Sequence, residues 1–134
     1  MRRLAKIVQG SLLLGLTLAM GYFSHAANPA GGTVSEGTPS VAWTGPFLVP
    51  TASAACNGPN DAPCDNFRLT ILPPSAAFGP YVAKITLQPF AAGDWDLLVF
   101  DPNGNVAGSS GNAPGAPEFV TLTNPGAGTY TVSA

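Results

Sequence analysis

The chain has 134 residues, and only 9% of them are charged. Three of its five basic residues lie within the first six positions, so the rest of the chain carries two bases against seven acids, a net charge of −5. Nucleic acids and anionic membrane surfaces both require several clustered Lys or Arg side chains. The composition therefore excludes both as partners of the remaining chain.

The N-terminus has the three parts of a secretory signal peptide. A basic head is followed by a mostly apolar run over residues 7–23, and Ser24-His25-Ala26 places small residues at the cleavage positions. We therefore predict a helical signal peptide over residues 1–26 and secretion of the chain to the extracellular space or the periplasm. The alternative is a retained membrane anchor, although an apolar run of this length covers only about 25 Å of a hydrocarbon core about 30 Å thick.

Residues 27–40 are small, polar and rich in Gly and Pro. Such a composition is typical of flexible tethers. We predict a flexible leader over this segment, followed by a folded domain over residues 41–134 whose first strand lies near residues 41–49.

Period-two alternation of apolar and polar residues predicts three strands of this domain. It occurs over residues 67–71, 81–88 and 129–133. Alternation of this kind is expected where a strand covers a core on one face and meets solvent on the other.

The C-terminal part of the chain adds further strands. Residues 95–100 are apolar at all but Asp96 and predict a central strand, and Asp101-Pro102-Asn103-Gly104 then predicts a tight turn and a returning strand. Residues 118–132 predict two more strands joined at Asn124-Pro125-Gly126.

Pro or Gly interrupts the chain nearly every ten residues, and no helical period persists after residue 26. We therefore predict an all-β fold, a jelly-roll-like β-sandwich of about seven or eight strands. Its core is predicted to contain Phe67, Leu69, Ile71, Ile85, Leu87, Leu97, Val99, Val120, Leu122, Tyr130 and Val132.

Cys56 and Cys64 are the two cysteines of the chain. In an exported protein we expect a disulfide between them, and closing so small a loop stabilises a fold by about 2.5 kcal/mol on the chain-entropy estimate. A metal pair would need two more soft ligands, and a nucleophilic cysteine would need a histidine base. The one histidine, His25, belongs to the predicted signal peptide, so the disulfide is the favoured interpretation.

A cluster of acidic and amide residues raises the question of calcium. Asp94, Asp96, Asp101, Asn103 and Asn105 supply oxygen atoms of the kind that calcium prefers. The spacing fails as an EF-hand loop, because a glycine comes at the fourth position instead of the sixth. The favoured interpretation is a hairpin turn with solvated acids. The alternative is a weak, stabilising calcium site at Asp94, Asp96 and Asp101, and no other cofactor is predicted.

The residues available predict no catalytic site. Without His25 the chain has no histidine and a single lysine after the signal peptide, so Ser-His-Asp and Cys-His chemistry both lack a base. Asp94 and Asp96 share one face of a strand, whereas glycoside hydrolysis needs two carboxyl groups that face each other across the substrate. We therefore predict that the protein is not an enzyme.

Four aromatic residues lie close to Gly or Pro in predicted loops or strand ends: Trp43, Phe47, Phe78 and Phe90. Exposed aromatic side chains are common anchors of binding surfaces, which makes these four candidates for ligand binding. The favoured interpretation is that they close the ends of the sandwich as part of its core.

Three blocks of the chain, residues 64–71, 94–105 and 128–132, resemble the bacterial pre-peptidase C-terminal domain. The middle block, which ends in Asn103-Gly104-Asn105, is similar to the most recognisable part of that family. The family is a small secreted β-sandwich, usually appended to proteases and other exported proteins. It is related to the collagen-binding domains of collagenases, some of which are stabilised by calcium. The resemblance covers roughly residues 41–134 and implies an accessory role.

The predicted function is that of a secreted, non-catalytic accessory or binding module that acts on extracellular protein or polysaccharide. One alternative is a ligand-free structural domain of the cell envelope. Another is a fragment of a larger exported hydrolase, since no catalytic domain precedes the module and the chain ends slightly before the family's last strand normally does. An exposed aromatic patch favours the binding module, and a uniformly polar surface favours the structural domain.

Overall fold

The computed structural model describes residues 27–45, 56–61, 64–89 and 93–134. The predicted signal peptide lies outside these residues. Seven strands form within them: β1 (Gly31–Val34), β2 (Asn66–Ile71), β3 (Val82–Leu87), β4 (Leu97–Phe100), β5 (Val106–Ser110), β6 (Glu118–Thr123) and β7 (Gly128–Ser133).

The seven strands form two sheets. The larger sheet has the order β1-β2-β7-β4-β5, and the smaller sheet pairs β3 with β6. β1 runs parallel to β2, and the other pairs are antiparallel. The predicted all-β sandwich is confirmed. None of the described residues belongs to a helix of the length and apolarity that crossing a membrane requires.

The core lies between the two sheets, and the period-two pattern predicts it well. All the residues predicted to be buried are buried except Leu87, which is only partly buried. Leu87 is the last residue of β3 and therefore lies at the end of the small sheet. Removal of these apolar side chains from water is the main favourable contribution to folding.

The predicted flexible leader contains a strand, so the prediction is wrong for residues 31–34. β1 forms there and pairs with β2 over its whole length. A Cβ on Gly32 would lie 2.3 Å from Cγ2 of Val41 and 3.2 Å from the Phe67 ring, so only glycine allows the strand to pack this closely. The first strand expected near residues 41–49 is absent from residues 41–45, where Thr44 forms an isolated bridge with Asn28. The rest of that segment lies outside the described residues.

The central strand β7 is buried on both faces, which corrects the one-sided pattern predicted for it. Tyr130 and Val132 face the core, yet Thr131 and Ser133 are also buried. β7 lies between β2 and β4 in the middle of the larger sheet, so both of its edges are paired as well. The buried hydroxyl of Ser133 donates a hydrogen bond to Oδ1 of Asn66 at 2.6 Å, as a buried polar group requires.

β6 and β7 follow each other in the chain but belong to different sheets. Asn124 turns the chain with a φ of 47°, and the Tyr130 hydroxyl donates to the carbonyl of Gly126 at 2.9 Å. This is the geometry of the tyrosine corner of Greek-key sandwiches. Burial raises the pKa of the Tyr130 hydroxyl above its ordinary value, so the hydroxyl keeps the proton that it donates.

We expect Leu97→Ala to lower the free energy of unfolding by about 2–5 kcal/mol, because it leaves a cavity in a closely packed core. Leu97 is completely buried, whereas Val106 on the neighbouring β5 is 59% exposed. Val106→Ala is therefore the matched control and should change stability by no more than about 0.5 kcal/mol. Urea denaturation measures both, and equal losses in the two variants would contradict this description of the core.

Candidate ligand-binding groove

A groove runs along the open side of the small sheet. It encloses a cavity of about 360 Å³ between β3 and the segment from Val34 to Trp43. Five consecutive residues of β3, 82–86, line this cavity. Because successive side chains of a strand point to opposite faces, a cavity that contacts five in a row lies along the edge of the strand. Its volume is at the lower end of the range for ligand pockets, about 300–1,000 Å³.

The floor of the groove is apolar. Leu69 and Ile71 of β2 and Ile85 of β3 line it from the core. Trp43 stacks on Phe67, with ring centroids 4.1 Å apart and an angle of 10° between the planes. One face of the Trp43 ring is therefore covered by Phe67, and the side chain packs against the core as a partly buried residue.

Two further aromatic residues form the rim of the groove. Phe78 is 53% exposed, and its ring meets that of Tyr81 edge to face, with centroids 6.4 Å apart and planes at 72°. Tyr81 is held in place at both ends. Its backbone N–H donates to Oδ1 of Asn124 at 2.8 Å, and its hydroxyl donates to the carbonyl of Pro125.

Two charged residues line the groove, Glu36 and Lys84. Oε1 of Glu36 accepts hydrogen bonds from the backbone N–H and the hydroxyl of Ser75, at 2.9 and 2.7 Å. The ammonium group of Lys84 lies 5.3 Å from the centroid of the Phe119 ring on β6, a cation–π contact. Phe119 does not line the groove, so the ammonium group of Lys84 is held by a ring outside it.

The structure brings together two of the four aromatic residues proposed as ligand-binding. Trp43 and Phe78 line the same groove, Trp43 as part of its core-packed floor and Phe78 as its exposed rim. Phe47 and Phe90 lie outside the described residues. Tyr81 is not among the four, because it begins the alternating segment 81–88 and is interpreted from the sequence as a core-facing strand residue. It also directly follows Gly79-Pro80, so its position next to Pro could have identified it.

The structure does not bring the three proposed calcium ligands together. Asp94 and Asp96 precede β4 and Asp101 follows it, so Asp96 and Asp101 lie at opposite ends of a strand segment about 16 Å long at about 3.3 Å per residue. Within the described residues, no group of three or more His, Cys, Asp or Glu side chains could hold a metal ion.

Asp101 instead holds the turn between β4 and β5. Its Oδ1 accepts the backbone N–H groups of Asn103 and Asn105 at 2.8 and 2.9 Å, and its own N–H donates to the Asn105 carbonyl at 2.8 Å. Gly104 closes the predicted turn with a φ of 84°, a left-handed conformation that glycine adopts without steric cost. The hydrogen bond from the Asn105 backbone is the largest of the effects that hold the pKa of Asp101 below its ordinary value.

Glu118 is the acid whose environment the sequence analysis missed. It is completely buried and accepts hydrogen bonds from the Ser110 hydroxyl at 2.5 Å and from the Asn112 backbone N–H at 2.9 and 3.1 Å. These bonds tie the end of β5 to the start of β6. The signal was the period of β6, which places Glu118 in phase with the buried Val120 and Leu122.

The predicted disulfide between Cys56 and Cys64 is present. Their Cα atoms are 5.9 Å apart, within the range that a disulfide spans. Inside the loop, Asp61 accepts the backbone N–H groups of Asn57 and Gly58 at 2.6 and 3.0 Å. Because Cys64 is buried two residues before β2, the disulfide fixes the entry to that strand.

No protein-family model matches the chain, and no curated protein and no solved structure matches it.

We expect replacement of both cysteines, Cys56→Ala with Cys64→Ala, to lower the free energy of unfolding by about 2.5 kcal/mol, because the unfolded chain gains loop entropy. Urea denaturation measures the loss. Reduction of the unmodified protein is the control and should give a similar loss, whereas reduction of the double variant should have no further effect. An undiminished midpoint in the double variant would contradict a stabilising role.

We expect Asp101→Ala to lower Tm at pH 7, because the N–H groups of Asn103 and Asn105 lose their acceptor. Asp101→Asn keeps an acceptor oxygen and is the matched control. Since the pKa of Asp101 is lowered in the folded state, the charge stabilises the fold above the ordinary carboxyl pKa of about 3.9, and this contribution is lost as pH falls through the folded-state pKa. Thermal unfolding from pH 7 to pH 2 should therefore show the difference in Tm between the unmodified protein and Asp101→Asn shrinking with acid. A constant difference would rule out the linkage.

Proposed function

We propose that this protein is a secreted, non-catalytic binding module that takes up an extracellular ligand in the groove between β3 and the segment from Val34 to Trp43. The observation that carries the proposal is the open apolar groove with an aromatic rim. Phe78 exposes about half of its side chain beside Tyr81, while Leu69, Ile71 and Trp43 form the floor.

The groove has the composition of a recognition site. Ligand pockets are lined mostly by apolar and aromatic side chains with a few polar groups that fix orientation. Glu36, Ser35, Ser40 and Thr86 are such polar groups here. An exposed aromatic ring that is held by a fixed neighbour loses little conformational entropy when a ligand covers it, and Tyr81 supplies that neighbour for Phe78.

Three features support secretion. The disulfide between Cys56 and Cys64 is of the kind that persists in the extracellular space or the periplasm. The N-terminal residues carry the pattern of a signal peptide. The resemblance to the pre-peptidase C-terminal domain, a family of exported accessory domains, points to the same compartments and to a role beside another exported protein.

The test is binding of the purified protein to immobilised unfolded casein and to insoluble chitin, cellulose and peptidoglycan. We expect retention on at least one of these materials, and Phe78→Ala should weaken it about fivefold or more, as for an exposed aromatic residue that the ligand covers. Phe119→Ala is the matched control, because Phe119 is similarly exposed but lies outside the groove. Isotherms of bound against free protein give the affinities.

Equal losses in Phe78→Ala and Phe119→Ala would show that the groove is not the binding site. Retention on none of the four materials would favour the ligand-free structural domain instead.

A further inference from the structure

We infer that the ligand is an extended polypeptide segment that joins the edge of β3 as a third strand of the small sheet. This inference rests on the proposed function of the groove and specifies the class of its ligand. It follows from the backbone of β3, from the charges that line the groove and from the arrangement of the aromatic rings.

β3 has a free edge. In the described residues it pairs with β6 alone, and the register aligns Val82 with Thr123, Lys84 with Thr121 and Thr86 with Phe119. Antiparallel pairs alternate between hydrogen-bonded and non-hydrogen-bonded positions. The N–H of Asn124 donates to the carbonyl of Tyr81 at 2.8 Å, so Tyr81 occupies a hydrogen-bonded position and the next, at Val82, is non-hydrogen-bonded.

It follows that the N–H and C=O groups of Val82, Lys84 and Thr86 point away from β6. The partner strand confirms the phase independently. Phe119 is aligned with Thr86. Its N–H points away from β3 and donates to the hydroxyl of Ser110 at 3.2 Å. Three donors and three acceptors of β3 therefore face the groove, with the alternating spacing that an added strand requires.

The opposite wall of the groove contains a turn at residues 35–38. The N–H of Ser35 donates to the carbonyl of Thr38 at 2.9 Å, and the N–H of Thr38 donates to the carbonyl of Ser35 at 3.2 Å. This turn satisfies its own backbone. A ligand strand in the groove would therefore bond to β3 along one of its edges and contact the other wall through side chains.

The side chains indicate what the ligand strand should carry. Those directed into the groove would meet Leu69, Ile71 and Ile85, so they should be apolar, and period-two geometry leaves the intervening ones free to be polar. Oε1 of Glu36 accepts both bonds from Ser75, and among the described residues Oε2 has no hydrogen-bond donor, so it could accept a Lys or Arg side chain of the ligand. A chain whose residues after 26 carry a net charge of −5 also attracts a basic peptide more than an acidic one.

The rings suit a peptide better than a polysaccharide. Sugar binding by stacking needs a flat aromatic face, whereas Phe78 and Tyr81 meet at 72° and one face of Trp43 is covered by Phe67. A second copy of this chain is disfavoured as the occupant, because two chains that each carry −5 after residue 26 repel each other.

The experiment uses a fluorescein-labelled octapeptide in which valine alternates with polar residues, namely threonines and one lysine. Fluorescence anisotropy measures its binding to the unmodified protein. Two isomers carry backbone N-methyl groups, one at the odd positions and one at the even positions. An added strand bonds through one edge only, so we expect one isomer to lose at least tenfold in affinity and the other to stay within about threefold. Loss in neither isomer, or equal loss in both, would overturn strand addition.

The substitution Thr86→Pro tests the same inference by a change in the protein instead of the peptide. It removes an N–H that β6 does not use, and proline is tolerated on edge strands, so we expect at least a tenfold loss of peptide affinity with the near-ultraviolet circular dichroism unchanged. If this variant does not fold, the two N-methylated peptides still decide the question on the unmodified protein.

Chitohexaose and cellohexaose as competitors separate this inference from the proposed function. Binding of a hexasaccharide that Phe78→Ala weakens, with no peptide binding, would keep the groove as a ligand site and overturn the polypeptide. Sedimentation showing a dimer that Thr86→Pro dissociates would assign the edge to a second copy and overturn it also. Failure of the peptide, both sugars and all four immobilised materials to bind would overturn both proposals together.

Discussion

β7 organises the larger sheet, because it pairs with β2 along its whole length on one side and with β4 on the other. Its two faces are both buried, and every polar group on such a strand needs a partner. Tyr130 meets this requirement through the carbonyl of Gly126, and Ser133 through the side chain of Asn66. Because β2 and β4 both pair with β7, β7 also fixes the positions of the disulfide at the start of β2 and of the Asp101 turn at the end of β4.

The groove is a consequence of the unequal widths of the two sheets. Strands are spaced about 4.8 Å apart, so five strands present a surface more than twice as wide as two. β6 contacts β4 and β5, and the small sheet therefore covers one side of the core and leaves the side toward β1 to other parts of the chain. The segment from Val34 to Trp43 covers part of that side, and the space between it and β3 is the groove.

Some polar groups of the described residues are hydrogen-bonded within the fold, and others face the groove. The carboxylates of Asp101 and Glu118 accept hydrogen bonds from nearby backbone N–H groups and, for Glu118, from the hydroxyl of Ser110 at the end of β5, so these acids stabilise turns and strand ends. Along β3, in contrast, alternate backbone groups face the groove beside an apolar floor. In this chain, a polar group that already has a partner in the fold is therefore structural, and a polar group that faces the groove without one is a candidate for binding.

The sequence by itself determined the strands with period-two alternation, most of the core, the turn at Asp101 and the disulfide, because these depend on patterns within a few residues. It did not predict β1, since Gly31–Val34 shows no alternation and becomes a strand only through pairing with the distant β2. Nor did it show that Thr131 is buried on the second face of β7, that Asp94 and Asp96 are separated from Asp101, or that Trp43 and Phe78 share a groove. Only the tertiary structure decided these points, because each depends on which distant segments lie side by side, and a period of two gives the face of a strand but not its neighbours.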